Sequence, residues 1–581
     1  MTSKGKEIVF DIEANGLKPD TIWCIVAKPI GEPVVSFGPT RIKEGIEYLE
    51  QAETLIGHNI LGFDIPVIEK LYGGNLRTKN IKDTLVMSRL YNPIRENGHS
   101  LKTWGYIVNL PKAEQPEDWD SYNTDMLKYC QQDVILNERV YKRLLEEGEG
   151  FSEESLKLET AVAVVLKQQE DTGFKFDEEY ALLLVARLKE RMFQVEKEVQ
   201  QTFKPKMVDI KRVTPRLKKD GTLSKQGLTK EEYEERVSTN CTEPFMRQKL
   251  QPFNLGSRKQ IGEYLIDFGW KPNRFTPTGQ PIIDETSLAK VKKIPEAKLI
   301  AEFLLLQKRI AQIDSWISAV DEDQRVHGFV IPNGTITGRM SHRSPNVAQV
   351  PSLSSEYGKE CRSCWIVKDG YKLLGVDASG LELRMLAHYM DDEDYINEVT
   401  TGDIHTANQR LAGLESRDQS KTFIYAFIYG AGDAKIGSVA GGGKKLGAEL
   451  KERFLSNNPS LRTLRERVFK ASKRGYLKGL DGRKIFIRNE HAALNSLLQG
   501  GGAIVMKQAL IMLQSLIKLN TLDAKFVANV HDEWQIEVRE DIADFVGERA
   551  VGCIIKAGEY HNLRCPLDGE YKIGDNWSET H

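Results

Sequence analysis

The spacing of apolar positions changes several times along the chain. In the stretches "EIVFDIEANG" and "CIVAKPIGEPVVSFG" the apolar residues alternate or run together briefly, as in strands. "IEYLEQAETLIGHN", "IKDTLVMSRLY" and "TDMLKYCQQDVILNERVYKRLLEE" carry helical or mixed spacing. Strands mixed with helices predict an α/β domain over residues 1–150, followed by the solvated linker "EEGEGFSEES". Residues 155–202 are strongly helical. At Lys204 the character changes, and prolines, glycines and alternation continue to about Pro252. This predicts an insertion of short strands and loops between helices. Helical spacing resumes at "SRKQIGEYLIDFG". From 330 onward long helices alternate with isolated strands, among them "YKLLGVDAS" and "FVANVHDEWQIEV".

Composition narrows this picture only a little. At about 100–200 residues per domain, 581 residues predict roughly three or four domains or subdomains. With 40% hydrophobic and 28% charged residues the chain is ordinary globular material. A net charge of −2 gives no sign of a polyanion partner, although the distribution does: residues 204–219 hold seven basic residues and one acid. Seven scattered cysteines in so long a chain predict free thiols, and the lone CxxC at Cys361 and Cys364 has no second pair to complete a zinc site. No stretch approaches the about 18 consecutive apolar residues of a membrane span, and a cytosolic protein is expected.

The chemistry begins with acids in positions where packing gains nothing from them. In "IVFDIEANG", Asp11 and Glu13 share one strand face because side chains alternate. Asp64 follows an apolar residue in "GHNILGFDIP", and Tyr129 and Asp133 are four apart on one helix face in "YCQQDV". Alone, each is ordinarily a solvated face or a structural pair. Their order, D-x-E, then N-x-x-x-F-D, then Y-x-x-x-D, resembles the DEDD family of 3′–5′ exonucleases in the variant with a tyrosine in the last motif. That resemblance implies Asp11, Glu13, Asp64 and Asp133 as ligands of two divalent metals, Tyr129 as the residue orienting the attacking water, and an indirect role for Asp83.

A second set lies beyond residue 330. Asp377 ends an apolar strand, a Ser-Gly turn follows, and a helix begins near Leu381 with Glu382 on its first turn. Arg417, Lys421, Tyr425 and Tyr429 recur every four residues, which drifts only about 40° per step and makes one stripe of cations and aromatics. Asp532 sits between two strand patterns with His531 and Glu533 beside it, and the turn is expected to project these acids outward toward Asp377. "DASGLE", "RDQSKTFIYAFIYGAG" and "VHDE" resemble the three signature motifs of DNA polymerase family A. "TGRMSH", "PNVAQVP", "FNLGSRKQIGEYL" and "ALNSLLQGGGAIVMK" resemble its linking segments, and "GDIHT" and "GLDGRK" its phage forms.

The resemblance implies an RNase H-like α/β exonuclease domain, followed by an α+β polymerase domain of right-hand architecture. The exonuclease domain is placed at 1–150 and a thumb at 151–330, with its insertion at about 203–252. The palm occupies 331–400 and 491–581, with fingers between, at 401–490. It implies two Mg2+ ions at each centre, with Mn2+ as a substitute. Asp377 and Asp532 would hold the polymerase pair, with Glu533 beside them. Arg417, Lys421 and His405 would clamp the incoming phosphates, and Lys421 would protonate the pyrophosphate. Tyr425 would pack on the sugar, Tyr429 near the templating base, and Glu382 would exclude a ribose 2′-hydroxyl. Arg339 and Gln499 would read the minor groove, and His531 would contact the primer end. The implied partners are primer–template DNA and dNTPs in an infected bacterial host. Host thioredoxin at 203–252, a helicase-primase and a single-stranded DNA-binding protein are left open. A nuclease with a decayed polymerase half, a repair polymerase with an inert nuclease domain, an RNA polymerase on the same palm and a pure binding protein are the competing readings. The intact acids of both sets and Glu382 count against them.

Overall fold

The computed structural model describes residues 5–581. The first domain is built on a five-stranded sheet of β1 (Glu7–Ala14), β2 (Ile22–Pro29), β3 (Val35–Phe37), β4 (Thr54–Gly57) and β5 (Asn80–Asp83), in the order β3-β2-β1-β4-β5. β1 pairs antiparallel with β2 and parallel with β4, so it is the central strand. Both of its faces are covered: Ile8, Val9 and Phe10 are fully buried. A central strand covered on both sides needs near-continuous apolar residues; β1 keeps Glu7 exposed at its start and carries Asp11 and Glu13 in its second half. Asp64 opens α1 (Asp64–Tyr72), and Asp83 leads into α2 (Thr84–Tyr91). The long α3 (Thr124–Glu147) packs across β1 and β2, burying Cys130, Val134, Leu136, Val140 and Leu144. The next helix, α4 (Glu153–Thr172), places Leu156 in this core, and Leu158, Val162, Val165 and Leu166 in the core of the C-terminal region.

Residues 178–318 form a compact unit of their own. Its frame is α5 (Glu178–Thr202), which ends just before the insertion. The predicted basic insertion is a two-stranded antiparallel hairpin of β6 (Lys206–Val213) and β7 (Phe245–Gln251), with a bulge at Asp209–Lys211. Between the strands lies a helix the sequence pattern did not announce, α6 (Lys230–Ser238), capped reciprocally by Thr229 and Glu232. The insertion's two ends meet where the Phe203 and Phe253 rings lie 5.1 Å apart. One hairpin face is covered by α6, where Glu232 pairs with Arg247 at 2.6 Å and Arg236 lies 3.9 Å over the Phe245 ring. The opposite face carries Met207, Met246 and Leu250 in the open, each about half exposed. α5 packs against α7 (Glu296–Ile317), which buries Ile300, Phe303, Leu306 and Ile310.

The C-terminal region holds a four-stranded antiparallel sheet of β8 (Tyr371–Ala378), β9 (Ala524–Val530), β10 (Glu533–Arg539) and β11 (Gly569–Gly574), in the order β9-β10-β8-β11. Gly380, at φ +57, turns the chain from β8 into α8 (Leu381–Met390), a left-handed step that glycine takes without a Cβ clash. Next come α9 (Ile404–Ala412) and α10 (Arg417–Ile428). Beyond these lie α11 (Ala493–Leu519) and α12 (Ala543–Tyr560). Among the described residues one helix, Glu490–Leu519, is long and apolar enough to cross a membrane by length and composition. It is the central helix of this core, with Ile504, Val505, Ala509, Leu510 and Leu513 fully buried. Its Gly500 and Gly501 let neighbours close in: a Cβ there would meet the Ile485 and Met385 side chains at 2.5 Å.

One buried ionic cluster joins α4, α11 and the loop at 481–483. Glu159 accepts from Arg483 at 2.5 Å and from Lys507 at 2.6 Å, Arg483 also pairs with Asp481 at 2.7 Å, and Lys507 donates to the Gly338 carbonyl at 2.7 Å. Burial pushes the Lys507 ammonium down to about 8, while Glu159 opposes that shift.

Candidate active sites

The first carboxylate set converges. β1 delivers Asp11 and Glu13, and Asp64 at the start of α1 turns back so that its Oδ1 accepts the Ile12 amide at 3.0 Å. Tyr129 and Asp133 come from the facing side of α3. Asp83 accepts from the amides of Asn59, Leu61, Leu85 and Val86, so it pins the turn that carries Asp64 to the start of α2. Solvation was the competing explanation, and burial removes it: Glu13, Asp64 and Asp133 are 8%, 3% and 4% exposed. Burial pushes all the carboxyls up. Asp11 rises well above its usual range through desolvation and its acidic neighbours Asp64 and Glu13, Glu13 goes to about 9, Asp64 to about 7, and Asp133 also rises. Unrelieved carboxylates this close are costly, and divalent cations relieve the cost. The Asp133 Oδ1 is buried with no hydrogen-bond partner, and the donors are hard oxygens, so the site fits such ions.

Two features here were invisible in the sequence. Lys112, from the loop before α3, reaches in to pair with Asp133 at 2.7 Å and stands 4.7 Å over the Tyr129 ring. Burial opposes its charge, but Asp133 outweighs that and raises its basicity. Beside it opens a cleft of about 620 Å³ lined by Lys102, Tyr106, Lys112, Gln115 and Tyr129. The second feature is Cys130, whose Sγ lies 3.6 Å from Asp11 Oδ2. Nothing in a loop lysine or a helical cysteine signals such placement.

In the second set, Asp377 is the direct cross-strand partner of Glu533, and the Ala378 amide donates to the Asp532 carbonyl at 3.2 Å. His531 and Asp532 form the turn between β9 and β10, with His531 exposed at φ +58. Desolvation, then Asp532 and Glu533, push Asp377 up to about 7, and burial also raises Asp532. The expectation that both turn acids project outward is corrected for Glu533. It begins β10, is 5% exposed, and accepts from Trp577 Nε1 at 2.5 Å and Gln535 Nε2 at 2.7 Å, with His581 Nδ1 at 2.9 Å. Burial works against its charge, but His581, Arg362 and Trp577 outweigh it and hold it below the usual range. His581 and Trp577 have no sequence signal for this role.

Around this pair stand the other predicted residues. α10 buries Phe423, Ile424, Phe427 and Ile428 and presents Arg417, Lys421 and Tyr429 to solvent, with Tyr425 half-buried, so the stripe is real. Arg417 pairs with Asp403 at 2.8 Å, whereas Lys421 has no carboxylate partner among the described residues. The ring of His405, on α9, lies 6.4 Å from that of Tyr425, which in turn lies 6.4 Å from Tyr429. Glu382 accepts from Tyr429 Oη at 2.9 Å and from Arg339 at 3.0 Å. Arg339, His531 and Asp532 line one small cavity, whose wall includes Gly502 and Ala503 of α11. Gln499 is half-buried on the preceding turn of that helix.

Comparison with known proteins gives the following. Residues 225–579 match the family described as DNA polymerase family A. The chain is 33% identical to the DNA-directed DNA polymerases of Escherichia phage T7 and of Enterobacteria phage T3, over 99% of this chain and 100% of each of those. It is 29% identical to DNA polymerase I of Pseudomonas aeruginosa, over 57% of this chain and 39% of that protein. Among solved structures, the fold matches the POL domain of Pol1 from M. smegmatis, in complex with DNA primer-template and dNTP. The TM-score is 0.79 at 18% identity, covering 100% of this chain and 96% of that one.

Proposed function

Since the chain belongs to DNA polymerase family A, in its phage form, and is a DNA-directed DNA polymerase, we propose that it replicates phage DNA by two-metal phosphoryl transfer and proofreads its own 3′ ends. The carrying observation is that two separate sets of buried and half-buried acids exist, one beside Tyr425 of a cationic and aromatic helix, the other beside Lys112 and Tyr129, which line a cleft. Divalent cations, Mg2+ or Mn2+, would supply Lewis acidity at both centres, for the attacking oxygen and for the leaving one.

The side chains do the rest. Asp377 and Asp532 would hold the ions of the polymerase centre, with Glu533 buried beside them as a positioning group. Arg417 and Lys421 bind the triphosphate, with His405 at its edge. The unpaired Lys421 donates the proton that pyrophosphate needs as it leaves. Tyr425 packs on the sugar and Tyr429 near the templating base. Glu382, drawn between Tyr429 and Arg339, occupies the space a 2′-hydroxyl would need. Arg339 and Gln499 donate to minor-groove acceptors that every correct pair presents, and His531 meets the primer end. At the other centre Asp11, Glu13, Asp64 and Asp133 would hold the ions, and Tyr129 orients the attacking water. The thumb is assigned to residues 151–330, which contain the compact unit 178–318, the fingers to 401–490 and the palm to 331–400 and 491–581. The substrates are primer–template DNA and dNTPs.

Primer extension and digestion of a mismatched 3′ end, each with Mg2+ and with chelator, test this reading. Extension without digestion in the wild type would sink the proofreading half, and metal-independent extension would sink the other.

A further inference from the structure

The first centre contains two thiols that its hydrolytic chemistry leaves unused. Cys24 on β2 is the direct cross-strand partner of Glu13, and such partners stand on one face of a sheet. Cys130 comes down onto the same face from α3, where its Sγ lies 3.6 Å from Asp11 Oδ2 and its thiol hydrogen-bonds with that of Cys24. The donor atoms of Asp11, Glu13 and Cys130 all lie within 4.8 Å of one another, so one ion would reach all three. An independent observation points to a ligand here: Asp133, also next to Asp11, is almost wholly buried, and its Oδ1 has no partner.

Hard cations select oxygen donors, whereas thiolates select softer ones such as Zn2+ and Cd2+. One thiol and two carboxylates make a mixed three-donor set of the kind that holds Zn2+ with water in the fourth position, and Cys24 stands hydrogen-bonded to the Cys130 thiol. We propose that Asp11, Glu13 and Cys130, with Cys24 beside them, form a soft-metal site that borrows two acids from the hydrolytic centre, so that a Zn2+-class ion silences 3′ digestion while nucleotide incorporation continues. On binding, the Cys130 thiol and the protonated Glu13 carboxyl release their protons to solvent, and the sulfur and the carboxylate oxygens donate electron pairs to the ion; nothing is oxidised or reduced. The ion enters by way of Asp11, the partly exposed member of the group. Nucleotide incorporation is spared because Asp377 and Asp532 bring carboxylate oxygens to their centre.

Cd2+ is the probe, with the full-length protein. Its thiolate charge-transfer absorbance in the ultraviolet is compared between wild type, C24A/C130A and the size-conserving Cys130→Ser, with C361A/C364A controlling for the other buried pair. The wild type and the control are expected to share a band that the double variant and Cys130→Ser both lack. Equal bands in all four proteins would overturn the site. In the second arm, Zn2+ added under excess Mg2+ is expected to slow 3′ digestion by wild type at least about tenfold more than by C24A/C130A, with extension alike in both, as thiolate selectivity for Zn2+ over Mg2+ requires. Equal inhibition of both proteins would overturn the silencing. This arm rests on the exonuclease reading and the absorbance arm does not, so a protein that shows the band but digests nothing would refute that reading and leave the metal site standing.

Discussion

At the scale of single residues, Glu13 shows what burial does to an acid. Its carboxyl stays protonated in the folded, metal-free chain up to about pH 9, whereas the unfolded chain releases that proton near the ordinary value of 4.5. The folded state therefore binds more protons than the unfolded one between these limits, and stability falls as pH rises through that window, by at most about 1.4 kcal/mol per pH unit for one proton. Asp64, raised to about 7, adds to the lower half of the window. Thermal melts in chelator should show the midpoint dropping from pH 6 to pH 9, Glu13→Gln should flatten the drop, and Mn2+ should raise the midpoint more at pH 9 than at pH 6. A midpoint that rises with pH in chelator would contradict the burial argument. Lys112 belongs to the same scale, because it supplies part of the positive charge that these acids need without an ion.

At the scale of elements, the β6–β7 hairpin stands out because one face is covered by α6 and the other bears Met207, Met246 and Leu250 in the open. A connection between two helices needs only about 2–8 residues, so an insertion this long is expected to have a use, against the alternative of a solvated loop of no consequence. Its exposed apolar face suits a protein partner such as host thioredoxin, and its lysines and arginines suit duplex DNA. Replacing residues 205–251 by a short linker should leave single-nucleotide incorporation nearly unchanged and shorten the product made per binding event. If the basic residues touch DNA, the salt dependence of binding should flatten by about 0.9 in log–log slope for each phosphate that the shortened protein no longer neutralises. Longer products on adding thioredoxin to wild type would mark a partner site. Unchanged product lengths in the deletion would remove both uses. A second element-scale test concerns the Glu159–Arg483–Lys507 cluster. Arg483→Met leaves Asp481 buried without its cation and Glu159 with one cation instead of two, which should cost about 3–5 kcal/mol of stability. Chemical denaturation measures it, and a loss under about 1 kcal/mol would mean the cluster is less buried in solution than its geometry implies.

At the scale of the whole molecule, the two centres draw on different sheets and should fail independently. Asp377→Ala or Asp532→Ala should lower nucleotide incorporation by about 10³-fold or more, the loss of about 4 kcal/mol of transition-state stabilisation, with 3′ digestion intact. Asp11→Ala with Glu13→Ala should do the converse and raise net synthesis on primed single strands. Steady-state primer extension and mismatched-end digestion, run on the same preparations, check both. Loss of both activities in either variant would mean that the domains share a folding defect rather than two separate sites.

The sequence by itself determined both acid constellations, the cationic and aromatic stripe of α10, and the succession of an α/β region, a helical region with an inserted stretch, and a mixed C-terminal region. These are encoded by local spacing: period two on a strand, nearly four on a helix, and a Ser-Gly turn that must bend to α8. Tertiary structure alone decided the rest. The acids of β1 could equally have faced water until α3 covered them, and Glu533 was adjacent to Asp532 in the chain yet turned inward to Trp577 and His581. Cys24 met Glu13 only through cross-strand register, and Lys112 reached Asp133 only from a loop. The α6 helix carries no buried residue, so no apolar period announced it. Which residues far apart in the chain come together is set by how elements pack, and packing leaves no periodic trace in the segments that it joins.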